Sequence, residues 1–260
     1  MVAVLSVAAL AAGALAACSR AEGEPADRPR SAADRPAPQS SQRGPGPQEG
    51  PLVLELFTSQ GCSSCPPADR LLGKLASTGA LGDRAVAPLS FHVDYWNDLG
   101  WADPYSSPAW TERQQQYARS LHDDRVFTPE LVVGGAAGMI GSDEGSVTAA
   151  IRAAGHPALL PATARWAADA VTISATAPAD ADVWVAVWEA TTSTKVTRGE
   201  NSGETMNSVH VVRKLERVAA AGQPGQATIK LDPAWHASGA IAFAQRPDRR
   251  ITASAALNKP

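Results

Sequence analysis

Cysteine is scarce in this chain, with 3 in 260 residues, at positions 18, 62 and 65. That excludes a small fold stapled by several disulfides. An excess of one charge is also missing: 23 Lys and Arg stand against 26 Asp and Glu, a formal net charge of −3. Nucleic-acid binding depends on a dominant basic face, so no nucleic-acid partner is expected. The longest uncharged apolar run, Val2 to Ala17, would reach roughly 24 Å at about 1.5 Å per helical residue, short of a hydrocarbon core of about 30 Å. Between Ser19 and Gly50 there is no Val, Ile, Leu, Phe, Tyr or Trp at all. Such a segment buries too little apolar area to offset chain entropy, which predicts a disordered, Pro- and Gly-rich tether over 19–50.

What the chain does contain begins with a leader over 1–18. Small residues close its apolar run, as before a signal-peptidase cut, although no Lys or Arg precedes it. The end, Leu15-Ala16-Ala17-Cys18, resembles the lipobox of bacterial lipoproteins, in which the cysteine is lipidated and becomes the mature N-terminus. Ser19 follows where an Asp would hold such a protein at the inner membrane. The expectation is an exported, periplasmic protein, anchored to the outer membrane through Cys18, whose membrane contact is that lipid alone. The alternative is a plain secretory signal cut near Ala17. Either way the mature chain works outside the cytoplasm.

Two folded parts are expected after the tether, over 51–158 and 159–260. The first opens on the apolar run Leu52 to Phe57, which reads as a buried strand interrupted by Glu55. A helix follows from about Pro67 to Ser77, with Leu71, Leu72 and Leu75 on one stripe and Gly79 at its end. A strand over 85–94, a helix opening at Ser107-Pro108, strands at Leu131–Val133 and Gly138–Ile140, and a helix capped by Ser142-Asp143-Glu144 complete a β-α-β-α-β-β-α order. In the second part, 171–175, 182–190, 208–217, 227–231 and 239–246 read as strands, which predicts a small all-β, sandwich-like domain.

Cys62-Ser63-Ser64-Cys65 lies between the first strand and the first helix. With Cys18 assigned to lipid, these are the only two thiols left to pair. At a helix entry, backbone N–H groups and the positive helix end favour a thiolate, and an exposed Cys62 sulfur would be the nucleophile. Attack by one thiolate and resolution by the second is the chemistry of thiol–disulfide exchange. A structural disulfide is the alternative. Pro66 and Pro67 disfavour helical geometry at Cys65, which sets that residue at the helix boundary.

The run Glu55-Leu56-Phe57-Thr58-Ser59-Gln60-Gly61-Cys62-Ser63-Ser64-Cys65-Pro66-Pro67-Ala68-Asp69 resembles the signature of a family of secreted bacterial proteins catalogued as a domain of unknown function. Phe91 to Trp96, Gly100 to Pro104, Thr128 to Val133, Gly199-Glu200-Asn201 and Val211-Val212-Arg213 extend that resemblance. The family is similar to thioredoxins. The resemblance therefore implies an α/β thioredoxin-like domain, with the all-β domain behind it. It implies a cis bond at Thr128-Pro129 opposite the thiol pair, with the Thr128 backbone free to bind an extended substrate. It places Glu55 near the acid that moves a proton to and from Cys65, a structural ion pair being the other possibility.

These readings converge on a thiol–disulfide oxidoreductase of the cell envelope. Cys62 attacks, Cys65 resolves, Pro129 positions the substrate and Glu55 shuttles a proton. No cofactor is needed beyond the disulfide. The expected partners are a protein or small-molecule thiol or disulfide and a redox partner. A non-catalytic envelope module with a static disulfide is the competing expectation. A copper-handling protein using His92 with the thiols is a third, set against His92 as a hydrogen-bonded core residue. No metal site is assigned. Trp96, Trp101, Tyr105 and Trp110 read as a satellite cluster closing a long loop, and Arg213, Lys214 and Arg217 as a solvated strand face.

Overall fold

In the computed structural model, the described residues are 49–259 except Asp124 and Ala237. The leader, Cys18 and the tether up to residue 48 lie outside them. The chain order is β1 (Leu52–Thr58), α1 (Pro66–Thr78), β2 (Ala80–Leu81), β3 (Arg84–His92), α2 (Pro108–Ser120), β4 (Glu130–Val133), β5 (Ala137–Ile140) and α3 (Glu144–Ala153). After residues 154–157 the strands resume with β6 (Ala158–Leu159), β7 (Ala162–Trp166), β8 (Ala170–Thr176), β9 (Asp182–Lys195), β10 (Thr205–Ala219), β11 (Pro224–Lys230), β12 (Ser238–Gln245) and β13 (Ile251–Ala256).

The expected fold class is not found. Strands hold 44% of the structure and helices 19%, and ten strands form one large mixed sheet. Its order is β5-β4-β1-β3-β10-β9-β12-β13-β6, with β2 on the side of β3. The protein is therefore mostly β, not a thioredoxin-like α/β domain followed by a small all-β domain. The physical reason is a single junction: β10 pairs in parallel with β3 at Val211 and Ser90. Through it the long β9–β10 hairpin and β12–β13 continue the sheet that β1, β3 and β4 begin. Only β11-β8-β7 forms a separate three-stranded sheet.

β1 is buried on both faces, which explains its near-continuous apolar sequence. Leu52, Leu54 and Leu56 face α1 and α3, meeting Ala68, Leu71, Leu72, Leu75, Val147 and Ile151. Val53 and Phe57 face the other way, onto Trp110 and Tyr117 of α2 and Phe243 of β12. A third core joins Val171, Ile173 and Ile229 of the small sheet to Val183, Val185 and Val187 of β9.

The helix ends follow the sequence. Pro66 and Pro67 suit a first turn, where their missing N–H groups leave nothing unbonded. Gly79 closes α1 in the left-handed region at φ 64°. The hydroxyl of Ser107 accepts from the Ala109 N–H at the head of α2, and the Asp143 carboxylate accepts from the Ser146 N–H at the head of α3.

Candidate functional site

The first turn of α1 carries Cys65 at its N-cap, and Cys62 and Cys65 form a disulfide. Cys65 has helical geometry (φ −78°, ψ −35°) despite the following prolines, and its carbonyl accepts from the N–H groups of Ala68 and Asp69. The helix thus begins at the second sulfur. The expected exposed sulfur on Cys62 is not found: both cysteines are 0% exposed.

Elements far away in sequence dock on the backbone of the cysteine turn. The loop between β9 and β10 reaches over the cysteine turn. The side-chain amide of Asn201 donates to the carbonyls of Gln60 and Cys62, each at 2.9 Å. The carboxylate of Glu200 accepts from the Ser63 N–H at 3.0 Å. Hydrogen bonds from Ser63 hold that carboxyl below the usual glutamate range. Gly199 and Gly100 meet closely: a Cβ on Gly100 would stand 3.2 Å from the Gly199 Cα, and Gly100 has φ +106°. Only glycine suits that backbone and that spacing. A second set of contacts comes from the loop after β3. The Trp101 indole donates to Gln60, and the Trp96 indole donates to the Thr128 hydroxyl at 2.8 Å. Ser63 and Ser64, between the sulfurs, remain exposed.

The Thr128–Pro129 bond is cis, as expected, and Pro129 is buried. The Thr128 carbonyl accepts from the Ser64 hydroxyl at 3.4 Å, so this loop stands beside the cysteine turn.

Glu55 lies elsewhere. It is fully buried on the α2 side of β1, where Arg113 donates to both its oxygens and the Tyr117 hydroxyl donates as well. Burial opposes the Arg113 charge, but Glu55 outweighs it and raises that pKa. Burial likewise raises the Tyr117 phenol. No hydrogen bond links Glu55 to Cys65 among the described residues. The geometry is that of the structural ion pair.

On the opposite face, under α1, lies a polar layer that the sequence reading missed. His92 is buried and its Nδ1 stands 2.7 Å from Asp103 Oδ2. Asp103 also accepts from the N–H groups of Gln60 and Tyr105. Burial works against a charged His92, yet Asp103 outweighs it and the His92 pKa is raised; the same pairing overcomes burial at Asp103 and lowers its pKa. Asp69, one turn along α1 from Cys65, is pushed up to about 6 by burial, against the pull of His92. The Thr58 hydroxyl stands within hydrogen-bonding reach of the Asp69 carboxyl and helps to lower its pKa, while Gln60 Nε2, Ser90 Oγ and His92 Nε2 are buried without a hydrogen-bond partner among the described residues. His92 behaves as the hydrogen-bonded core histidine, and no group of three His, Cys, Asp or Glu residues placed to hold a metal occurs among the described residues.

The model of a family described as Protein of unknown function (DUF1223) matches residues 53–245. The chain belongs to the DUF1223 family. Two solved structures resemble this DUF1223 chain. The crystal structure of protein AGR_C_4864 from Agrobacterium tumefaciens is 32% identical, with a TM-score of 0.62 over 81% of this chain and 96% of that one. HBP35 of Porphyromonas gingivalis is 14% identical, with a TM-score of 0.52 over 81% of this chain and 75% of that one, a likeness of fold alone. No curated protein matches the chain.

Other residues of this DUF1223 chain differ from expectation. The four loop aromatics do not form one satellite cluster. Trp110 joins the core, Trp96 and Trp101 bond the site loops, and Tyr105 stands edge-on to His92. Arg213 does not decorate a solvated face: it is half-buried over the rings of Tyr105 and Trp235, beside Glu189 at 3.7 Å. Asn201 and Glu200 were legible as part of a sequence resemblance, but their role was not, because nothing local says that a loop will dock on residues 137 to 139 positions earlier.

Proposed function

We propose that this chain carries out thiol–disulfide exchange at the bacterial cell envelope through Cys62 and Cys65. The observation that carries the reading is the paired cysteine turn at the head of α1, set directly beside buried titratable groups. A disulfide closing a four-residue loop constrains the unfolded chain weakly, by about 2 kcal/mol on the loop-entropy model, so stapling alone is a poor use of it. Buried ionisable groups with shifted pKa values are costly, and they concentrate where proton transfer is needed. An oxidising compartment, which the lipobox-like leader supports, keeps such a pair oxidised.

Burial of both sulfurs sets a condition. The Glu200–Asn201 loop must swing off the cysteine turn before a partner thiolate reaches Cys62. The partner is then an extended or flexible thiol or disulfide that enters as the loop leaves. In the exchange, the incoming thiolate sulfur bonds to Cys62, the Cys62–Cys65 bond breaks, and Cys65 leaves with the electron pair.

Complete burial of the two sulfurs also favours a second reading, in which the disulfide is a static clasp of a non-catalytic envelope module. Insulin reduction separates the two. Exchange predicts turnover by the wild type with dithiothreitol as reductant, lost in Cys62→Ser and kept in the exposed α1 variant Ser77→Ala. Turnover no faster than dithiothreitol alone would establish the clasp.

A further inference from the structure

We infer that Asp69 is the proton donor and acceptor for Cys65, tuned by the His92–Asp103 pair. The inference rests on the exchange reading above. It assigns to Asp69 the part that the family resemblance implied for Glu55.

Asp69 follows Cys65 by four residues, and its N–H donates to the Cys65 carbonyl at 3.1 Å. Residues at i and i+4 share a helix face, and side chains there lean towards the N-terminus, so the Asp69 carboxyl leans over the turn that holds Cys65. Both residues are buried, Asp69 at 9% exposed and Cys65 at 0%. Thr58 and His92 are register partners on β1 and β3, and Ser90 lies two residues before His92 on the same sheet face. The Thr58 hydroxyl, within hydrogen-bonding reach of the Asp69 carboxyl, and the unpartnered atoms of Ser90 and His92 therefore face one layer under α1.

The charges around this layer are few. Facing Asp69 are His92 from β3, Asp103 from the following loop and Arg70 of its own helix. Facing His92 are Asp103, Asp69 and Arg213 of β10. Burial places Asp69 at about 6, so both of its protonation states are populated near neutral pH. His92 lowers the Asp69 value, and Asp103, against the burial of the ring, favours the charged form of His92.

A thiolate of dithiothreitol bonds to Cys62 Sγ, the Cys62–Cys65 bond breaks, and the electron pair goes to Cys65 Sγ. That sulfur takes the proton of the Asp69 carboxyl. The second thiol of dithiothreitol then loses its proton to solvent and displaces Cys62, which leaves as a thiolate and is protonated by solvent. Dithiothreitol becomes its cyclic disulfide, and the cysteine pair gains two electrons and two protons.

The test is reduction of the purified full chain by dithiothreitol, with each rate divided by the thiolate fraction of the reagent. Glu200 stays ionised throughout the range used, because its pKa lies below the ordinary glutamate value. In the wild type the normalised constant falls at least about ten-fold from about pH 5 to about pH 8, as expected when a general acid is lost. Asp69→Asn flattens the profile. His92→Gln moves the midpoint upward, because the cation that favours the Asp69 carboxylate is gone, and this readout survives if Asp69→Asn fails to fold. A flat wild-type profile overturns the inference, as does a fall that persists in Asp69→Asn. A rate that does not depend on dithiothreitol concentration and equals global unfolding overturns the exchange reading itself, and this inference with it.

Discussion

The side chain of Asn201, at the tip of the β9–β10 hairpin, donates to the backbone carbonyl of Cys62, 139 residues before it. A second bond from the same amide holds Gln60. Asn201 is itself buried, so both bonds are made out of water. Removing them leaves two carbonyls to be resolvated, a loss of roughly 1–3 kcal/mol. If the loop is the cover that must open, Asn201→Ala speeds reduction of the disulfide by dithiothreitol about ten-fold or more, since about 1.4 kcal/mol is a factor of ten in an opening equilibrium. Thiol-trapping gels under native conditions read that rate. An unchanged rate would show that the hairpin tip does not control access.

Arg113 is the keystone of the other face. It bridges Glu55 on β1 and Gln245 on β12, and its guanidinium lies near the rings of Phe91, Tyr117 and Phe243. Arg113→Leu strands the Glu55 charge in the core and is expected to cost about 3–5 kcal/mol in urea unfolding. A loss under 1 kcal/mol would mean that Glu55 finds another partner.

Glu130, beside the cis proline, is raised by burial to about 7, although Gln114 donates to it. A carboxyl raised in the folded state keeps its proton after the unfolded chain has lost it. The fold is therefore destabilised as pH rises from about 4.5 towards 7, and the penalty is complete above 7. Glu130→Gln keeps an acceptor for Gln114 and removes the charge. Its stability gain over the wild type should be absent below about pH 4.5 and approach roughly 3 kcal/mol above pH 7. Thermal unfolding at pH 4 and pH 8 checks the sign.

Replacing both cysteines by serine tests how much stability the disulfide itself supplies. The four-residue loop predicts a loss of about 2 kcal/mol. A loss above about 5 kcal/mol in urea unfolding would identify a clasp on which the fold depends.

Local signals were readable wherever local chemistry decides the outcome. The prolines and glycine that bound α1, the Ser107 cap of α2 and the Asp143 cap of α3 act within a turn, and each sits where the sequence places it. The strands 182–195 and 205–219 were legible as alternating runs, although both run on past the predicted ends. Strand partners were not legible. The Val211–Ser90 junction joins strands 121 residues apart, and no periodicity encodes it. The same blindness hid the site. Glu55 reads as a reactive acid until Arg113, 58 residues on, is seen to neutralise it. Cys62 reads as an exposed nucleophile, yet it is fully buried in a turn whose backbone the Glu200–Asn201 loop holds. Asp69 closes the family-like signature, but its role gave no signal, because a lone acid in a first helical turn is ordinary until His92 and Asp103 are packed beneath it.

The midpoint potential of the Cys62–Cys65 couple bears most directly on the central claim. It is measured by equilibrating the purified chain in dithiothreitol buffers of graded ratio and trapping the thiols. An exchange centre is expected above about −300 mV, in the range spanned by thiol–disulfide oxidoreductases. A midpoint well below about −300 mV, where structural disulfides lie, would contradict exchange and leave the cysteine pair as a fixed link.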